Sequence, residues 1–267
     1  MNPFILVAPA TRGLSLALAR YYLRKTKLPV FATFRHGNED EVKRSMLSTL
    51  GDIDPERLKL VRLELTSEES IASAANALAN VLPQNSKSFI HTAFFTGGVL
   101  YPERKPSDLN AADLLHTFQV NVISHLLLIK HFARFLPSHG EADNLNESFD
   151  SYPCALSRWV HVSARVGSIS DNHLGGWYSY RASKAALNQV IRTTDLYLKS
   201  KRVPAMCVGV HPGTVRTDFS KEFWQGVPKD KLFEPDFAAE KLGEVIKGLQ
   251  EQQRGKVWDW AGKEVPP

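Results

Sequence analysis

Phe4-Ile5-Leu6-Val7-Ala8-Pro9-Ala10-Thr11-Arg12-Gly13-Leu14-Ser15 is the stretch from which the fold is read. Five apolar residues run without interruption, a proline stops them, and a short turn with one glycine leads into a helical pattern beginning at Leu14. The run is too short to span a membrane and carries no basic flank of the kind a secretion signal needs. It therefore reads as a structural strand followed by a turn and a helix.

Outward from this unit the same alternation continues to the end of the chain. Strands are expected at Phe4–Ala8, Val30–Phe34, Leu58–Glu64, Ser88–Ala93, Arg158–Ser163 and Ala205–His211, with a final edge strand at Val257–Trp260. Helices are expected at Leu14–Thr26, Glu39–Leu50, Glu68–Leu82, Ala111–Phe135, Tyr178–Lys199 and Pro235–Gln252. Strand–helix alternation implies parallel strands joined by right-handed crossovers, hence one doubly wound α/β domain over residues 1–267. The expected sheet is mostly parallel and seven-stranded, with helices on both faces. Ligands in such sheets bind beyond the carboxyl ends of the strands. Residues 137–157 read as a surface excursion, and 218–234, with Phe219, Phe223 and Trp224, as a loop region able to shape a substrate site.

Composition excludes several alternatives. The 267 residues are 43% hydrophobic and 23% charged, as in an ordinary soluble globule. A net charge of +5 is spread among acidic residues with no dense basic stripe, so nucleic acid is not an expected partner. No membrane association is expected either. The two cysteines, Cys154 and Cys207, have no metal-ligand spacing and read as reduced thiols of a cytoplasmic protein; no metal site is expected.

Chemistry enters at Tyr178-Ser179-Tyr180-Arg181-Ala182-Ser183-Lys184. In a helix, a spacing of four puts the Tyr180 phenol and the Lys184 ammonium on one face. A fixed positive charge beside a phenol lowers its pKa toward the range useful for proton transfer, so acid–base work on an alcohol or carbonyl is the expected use.

Tyr180-x-x-x-Lys184, with His211-Pro212-Gly213-Thr214-Val215-x-Thr217 after the next strand, resembles the short-chain dehydrogenase/reductase family, and the likeness runs the length of the chain. Ser163-Ala164-Arg165-Val166-Gly167-Ser168-Ile169, Gly175-Gly176-Trp177-Tyr178 and the Gly255–Lys263 tail are similar to the C-factor and Sniffer type of carbonyl reductases within it. The resemblance implies a Rossmann fold, Tyr180 as general acid–base and Lys184 holding the nicotinamide ribose. It further implies that Asn121 supports a proton-relay water and that Pro212, Gly213, Val215 and Thr217 line the nicotinamide. In the family the two long helices also form the subunit interface, so a homodimer or homotetramer is expected.

The chain departs from the family pattern at three places. The glycine-rich first loop keeps only Gly13, with Pro9 and Ser15 in place of its neighbours; Thr11, Arg12, Gly13 and Leu14 remain to hold a phosphate. The segment after the fourth strand reads His91-Thr92-Ala93-Phe94 and keeps only Ala93 as an expected cofactor contact. The family serine, counted back from Gly167, falls on Ala164. Ser168, then Ser163, are the candidates for the missing hydroxyl, and neither is the third possibility.

The second strand ends in Phe34-Arg35-His36 with no carboxylate, and Arg35 offers a fork for a 2′-phosphate, which favours NADP(H) over NAD(H). In Leu63-Glu64-Leu65-Thr66, Glu64 stands where the family's Asp contacts adenine, with Leu65 beside it. The expected function is NADPH-dependent reduction of a small-molecule carbonyl, or the reverse oxidation of an alcohol. A nucleotide-binding or regulatory protein with reduced or lost catalysis is the alternative, and a dehydratase or isomerase using the same pair is a third.

Overall fold

β1 (Asn2–Ala8) is central to the sheet, and its side chains alternate between two cores: Phe4, Leu6 and Ala8 face one, Ile5 and Val7 the other. This is the period-two pattern of a strand covered on both faces. The computed structural model describes residues 2–138 and 154–267, so most of the excursion expected at 137–157 lies outside the described residues.

After β1 come α1 (Gly13–Lys25), β2 (Val30–Phe34), α2 (Glu39–Leu47), β3 (Leu58–Arg62), α3 (Glu68–Val81) and β4 (Ser88–Phe95). Then α4 (Ala111–Phe118) passes through a π-turn, Gln119–Ile123, into α5 (Ser124–Phe132). The second half holds β5 (Ser157–Val162), α6 (Tyr178–Ser200), β6 (Ala205–His211), the short β7 (Thr214–Val215) and β8 (Leu232–Phe233), α7 (Pro235–Gly248), β9 (Val257–Asp259) and β10 (Glu264–Val265).

The main sheet has the order β10-β9-β6-β5-β4-β1-β2-β3. Every pairing from β3 to β9 is parallel; β10 adds an eighth, antiparallel edge strand to the seven expected. β10 and the separate β7–β8 pair are two residues each, too short for any apolar run to announce them. Strand order reverses between β1 and β4, and the crevice beyond their carboxyl ends is the natural ligand position.

Helices cover both faces. Ile71, Leu78, Leu128, Phe132, Leu187 and Ile191 fill one core with β1's Phe4 and Leu6. Leu18, Tyr22, Leu23, Leu242 and Ile246 fill the other with Ile5 and Val7. Ala111–Phe135 is long and apolar enough by composition to cross a membrane, yet its inner face, Val120, Asn121, Ser124, His125, Leu128 and Phe132, is buried in the fold.

A buried ion pair ties α6 to the C-terminal segment. Arg254 Nε lies 2.9 Å from Asp195 Oδ1, and Asp195 Oδ1 also accepts from the Cys207 backbone N–H at 3.0 Å. Arg254 Nη2 donates to the Ala205 carbonyl at 2.7 Å. Removing one partner strands the other charge in the core, so Arg254→Met should destabilise the protein by about 3 kcal/mol or more. Urea unfolding checks this, and Asp195→Leu on top of Arg254→Met should recover much of the loss.

Candidate active site

Tyr180 and Lys184 sit in the first two turns of α6, both buried. The chain enters this helix through three consecutive left-handed residues, Gly175, Gly176 and Trp177. Glu103 fastens that entry: its carbonyl accepts from Trp177 N–H at 2.6 Å, and its carboxylate accepts from the Ser179 hydroxyl. Lys184 Nζ lies 5.6 Å from the Tyr180 ring centre and donates to the Val162 carbonyl, at the end of β5, at 2.9 Å. The helical face expected from the spacing is therefore present. The expected depression of the phenol is not. Burial pushes the Tyr180 phenol above its usual 10, and burial also pushes Lys184 down to about 7. An amine this close to neutrality is a weak source of field, so desolvation decides both groups.

Asn121 lies in the π-turn, completely buried, and its amide is fully used. Oδ1 accepts from Val99 N–H at 2.8 Å; Nδ2 donates to the Val99 carbonyl and to Ser183 Oγ, both at 3.0 Å. The π-turn thereby gains an anchor to both the loop after β4 and α6. A side chain added to Gly98 would point at Lys184 Nζ (3.6 Å) and Asn121 Oδ1 (3.8 Å), so only a bare backbone leaves that space open.

The register of β4 corrects one expectation. His91, Thr92, Ala93 and Phe94 lie inside the strand, and Ala93 is completely buried, so it lines no ligand crevice. The strand end lies at Phe95; Thr96 faces the first loop, and Gly97-Gly98 follows beside His125 and Lys184. A Gly-Gly pair directly after an apolar run was the available sequence signal.

The altered first loop is rebuilt by side chains. Ser15 Oγ donates to Thr96 Oγ1 at 2.8 Å, and Thr96 Oγ1 donates to the Pro9 carbonyl at 2.9 Å; Thr96 N–H also donates to Ala8 O. Pro9 and Ser15, the two departures, are thus joined through one threonine. Gly13 adopts φ +54°, and a Cβ there would come within 3.0 Å of Thr217 Cγ2, so this glycine packs the first loop on the turn that carries Pro212, Gly213 and Val215. Thr11 and Arg12 are exposed beside it and Leu14 is half-buried.

Arg35 and Glu64 meet at the ends of β2 and β3, 3.5 Å apart. Burial raises the Glu64 carboxyl, but hydrogen bonds from Thr66 and the charge of Arg35 outweigh it and leave it below its ordinary value. Arg62, which sequence reasoning missed, donates to the carbonyls of Arg35 and Gly37 at 2.9 and 3.0 Å and stacks on Phe34. Parallel pairing sets it opposite Phe34, a register that the local sequence does not announce. Leu65 packs against Gly97.

The two serine candidates are committed elsewhere. Ser163 gives its hydroxyl proton to Asn188 Oδ1 at 2.6 Å. Ser168 gives its own to the Pro267 oxygen at 3.1 Å and accepts from Asp171 N–H. In both, the hydroxyl has an acceptor within the protein. Aromatic rings stand near Tyr180 instead: Trp177 at 6.2 Å and Phe219 at 6.1 Å between ring centres, with Phe223 4.9 Å from Trp177. Trp224 turns away, its indole N–H bound to Ser220 and its ring under Arg216. The loop expected at 218–234 is mostly short 3₁₀ turns.

No family model matches the chain. The C-signal protein of Myxococcus xanthus is 34% identical over 159 residues, which are 60% of this chain and 81% of that protein. An NADPH-bound carbonyl reductase from chicken fatty liver superposes with a TM-score of 0.80 and 25% identity over the full length of both chains. A short-chain dehydrogenase/reductase from Burkholderia multivorans with bound NADP gives a TM-score of 0.74 and 25% identity, again over both full lengths.

The burial of Lys184 has a measurable consequence in the protein alone. Its folded pKa of about 7 lies below the ordinary 10.5, so the unfolded chain binds more protons between those values. Stability attributable to this residue should rise with pH from about 7 to the ordinary 10.5 and be fully lost once pH has fallen to about 7. Urea unfolding of the wild type and Lys184→Met across this range checks it; Tyr180 acts oppositely, but only above its ordinary 10.

Proposed function

The chain belongs to the short-chain dehydrogenase/reductase family, and on that footing we propose that it is an NADPH-dependent carbonyl reductase. The observation that carries this reading is the convergence of Tyr180, Lys184, Asn121 and the bare Gly98 backbone beyond the strand ends at the sheet's switch point. The residues present fit a dinucleotide: Gly98 leaves open a space that a side chain would fill, Arg12 stands exposed in the turn after β1, and Arg35 follows β2, where a phosphate needs charge.

The cofactor, when bound, supplies hydride to the substrate carbon. Tyr180, fully protonated at neutral pH because burial raises its pKa, donates its phenolic proton to the carbonyl oxygen as negative charge develops there. Lys184 stays oriented through Val162 and directs its remaining N–H bonds toward the ribose hydroxyls. Asn121 and Ser183 hold the loop and helix in register, so Asn121 acts here through position as much as through any water. With both serine protons committed, the Trp177 and Phe219 rings shape the carbonyl's approach, which favours a flat, largely apolar substrate.

The committed serines are also the observation favouring a second reading, a nucleotide-binding regulator with reduced or lost catalysis. We place the protein in the cytoplasm on its two free cysteines, Cys154 and Cys207. Exposed Leu115, Ile123, Leu126, Leu196 and Tyr197 on the two long helices support a homodimer or homotetramer, which light scattering checks.

Tyr180→Phe should keep NADPH affinity and lower carbonyl turnover by about a hundredfold to ten-thousandfold. Fluorescence titration and a panel of aldehydes and ketones measure the two. Undiminished turnover overturns the mechanism, whereas wild-type NADPH binding with no turnover on any carbonyl favours the regulator. Arg35→Ala should weaken NADPH binding while leaving NADH binding nearly unchanged.

A further inference from the structure

Two histidines outside this chemistry lie fully buried next to it. His125, one helical turn after Asn121, and His161, on β5 beside Val162, face each other with their Nδ1 atoms 2.8 Å apart. His125 Nε2 lies 3.0 Å from the Gly97 carbonyl oxygen. A carbonyl only accepts, so Nε2 of His125 carries its proton and Nδ1 is its bare acceptor. His161 must then be protonated at Nδ1 and bare at Nε2. Burial, with the charge of Lys184 adding to it, pushes His125 down to about 3, and burial likewise holds His161 low, so both rings are neutral at physiological pH. One tautomer of each ring satisfies the contacts.

This arrangement carries a cost. His161 Nε2 is buried with no hydrogen-bond partner among the described residues. Two apolar side chains of similar shape would fill the same space without an unmet acceptor. The compensating gain lies in what His125 holds. Asn121 grips Val99 through both its backbone groups, and His125 grips Gly97, so Gly98 is held from both sides in contact range of Lys184. Lys184 in turn is tied to Val162, the residue after His161.

We propose that His125 and His161 form a neutral, tautomer-locked clamp that positions the Gly97-Gly98 backbone against Lys184 for cofactor binding. They are positioning residues, acting through Gly97 and Lys184. The inference rests on the reductase reading above. Neutrality matters because a protonated imidazole here would be a buried charge without a partner, the cost that burial already imposes on both histidines, with Lys184 adding to it. A clamp without charge fixes the backbone and leaves the lysine free to act as a donor.

The test compares His125→Leu, which removes the Gly97 contact, with His125→Gln, which keeps a donor for Gly97 and an acceptor for His161. His125→Leu should raise KM for NADPH on the order of tenfold with kcat changed much less, and His125→Gln should recover most of the loss. Should His125→Leu not fold, His125→Asn, polar but too short to reach Gly97, carries the same comparison. In the wild type, ¹⁵N NMR of the imidazoles should find His161 protonated at Nδ1 and His125 at Nε2. An unchanged KM for NADPH in the folded variant, no rescue by glutamine, or the opposite tautomers overturns the clamp. Failure of the wild type to bind NADPH overturns the reductase reading and the clamp with it; binding by the wild type with no effect of His125→Leu overturns the clamp alone.

Discussion

The centre of this molecule depends on one amide. Asn121 spends both donors and its acceptor on Val99 and Ser183, and in doing so joins a π-turn, the loop after β4 and the helix of Tyr180 and Lys184. A buried primary amide that lost any of these partners would leave a polar group unmet in a low-dielectric interior, so all three elements are held to one geometry. Gly98 stays open because Val99 is pinned, and Lys184 reaches Val162 because the α6 turn carrying Ser183 is pinned. The π-turn supplies the local irregularity that lets one helix residue serve two neighbours.

Burial gives Tyr180 and Lys184 opposite shifts that suit a reduction. The phenol holds its proton firmly, while the amine sits near neutrality and changes charge state with small changes in surroundings. Proximity of the two groups, which seemed from spacing alone to set the phenol, is secondary to the removal of water from both. The rings of Trp177 and Phe219 add apolar surface beside Tyr180.

Much of this was legible in the residues. Apolar runs of five to seven residues located the strands from β1 to β6, and the four-residue period placed Tyr180 above Lys184. The family resemblance brought Asn121 into the same site. What stayed hidden is tertiary. The expected end of β4, at Ala93, falls two residues short of Phe95, because the polar His91 and Thr92 look like the close of an apolar run whereas both are buried inside the strand. Arg62 and the His125–His161 pair depend on cross-strand and helix–strand register, which no local period encodes. The serine candidates were chosen by counting, and counting does not show that each hydroxyl has already found Asn188 or Pro267.

The repair of the first loop bears on how such a chain can drift. Pro9 and Ser15 are tied together through Thr96, so these three positions form an epistatic set: a glycine restored at 15 strips Thr96 of a donor, and a change at 96 strands both others. Gly13 stands outside the set. Its left-handed backbone and its close approach to Thr217 leave no room for a side chain. The shape of the first loop therefore rests on side-chain links among Pro9, Ser15 and Thr96 and on one glycine braced against another part of the fold.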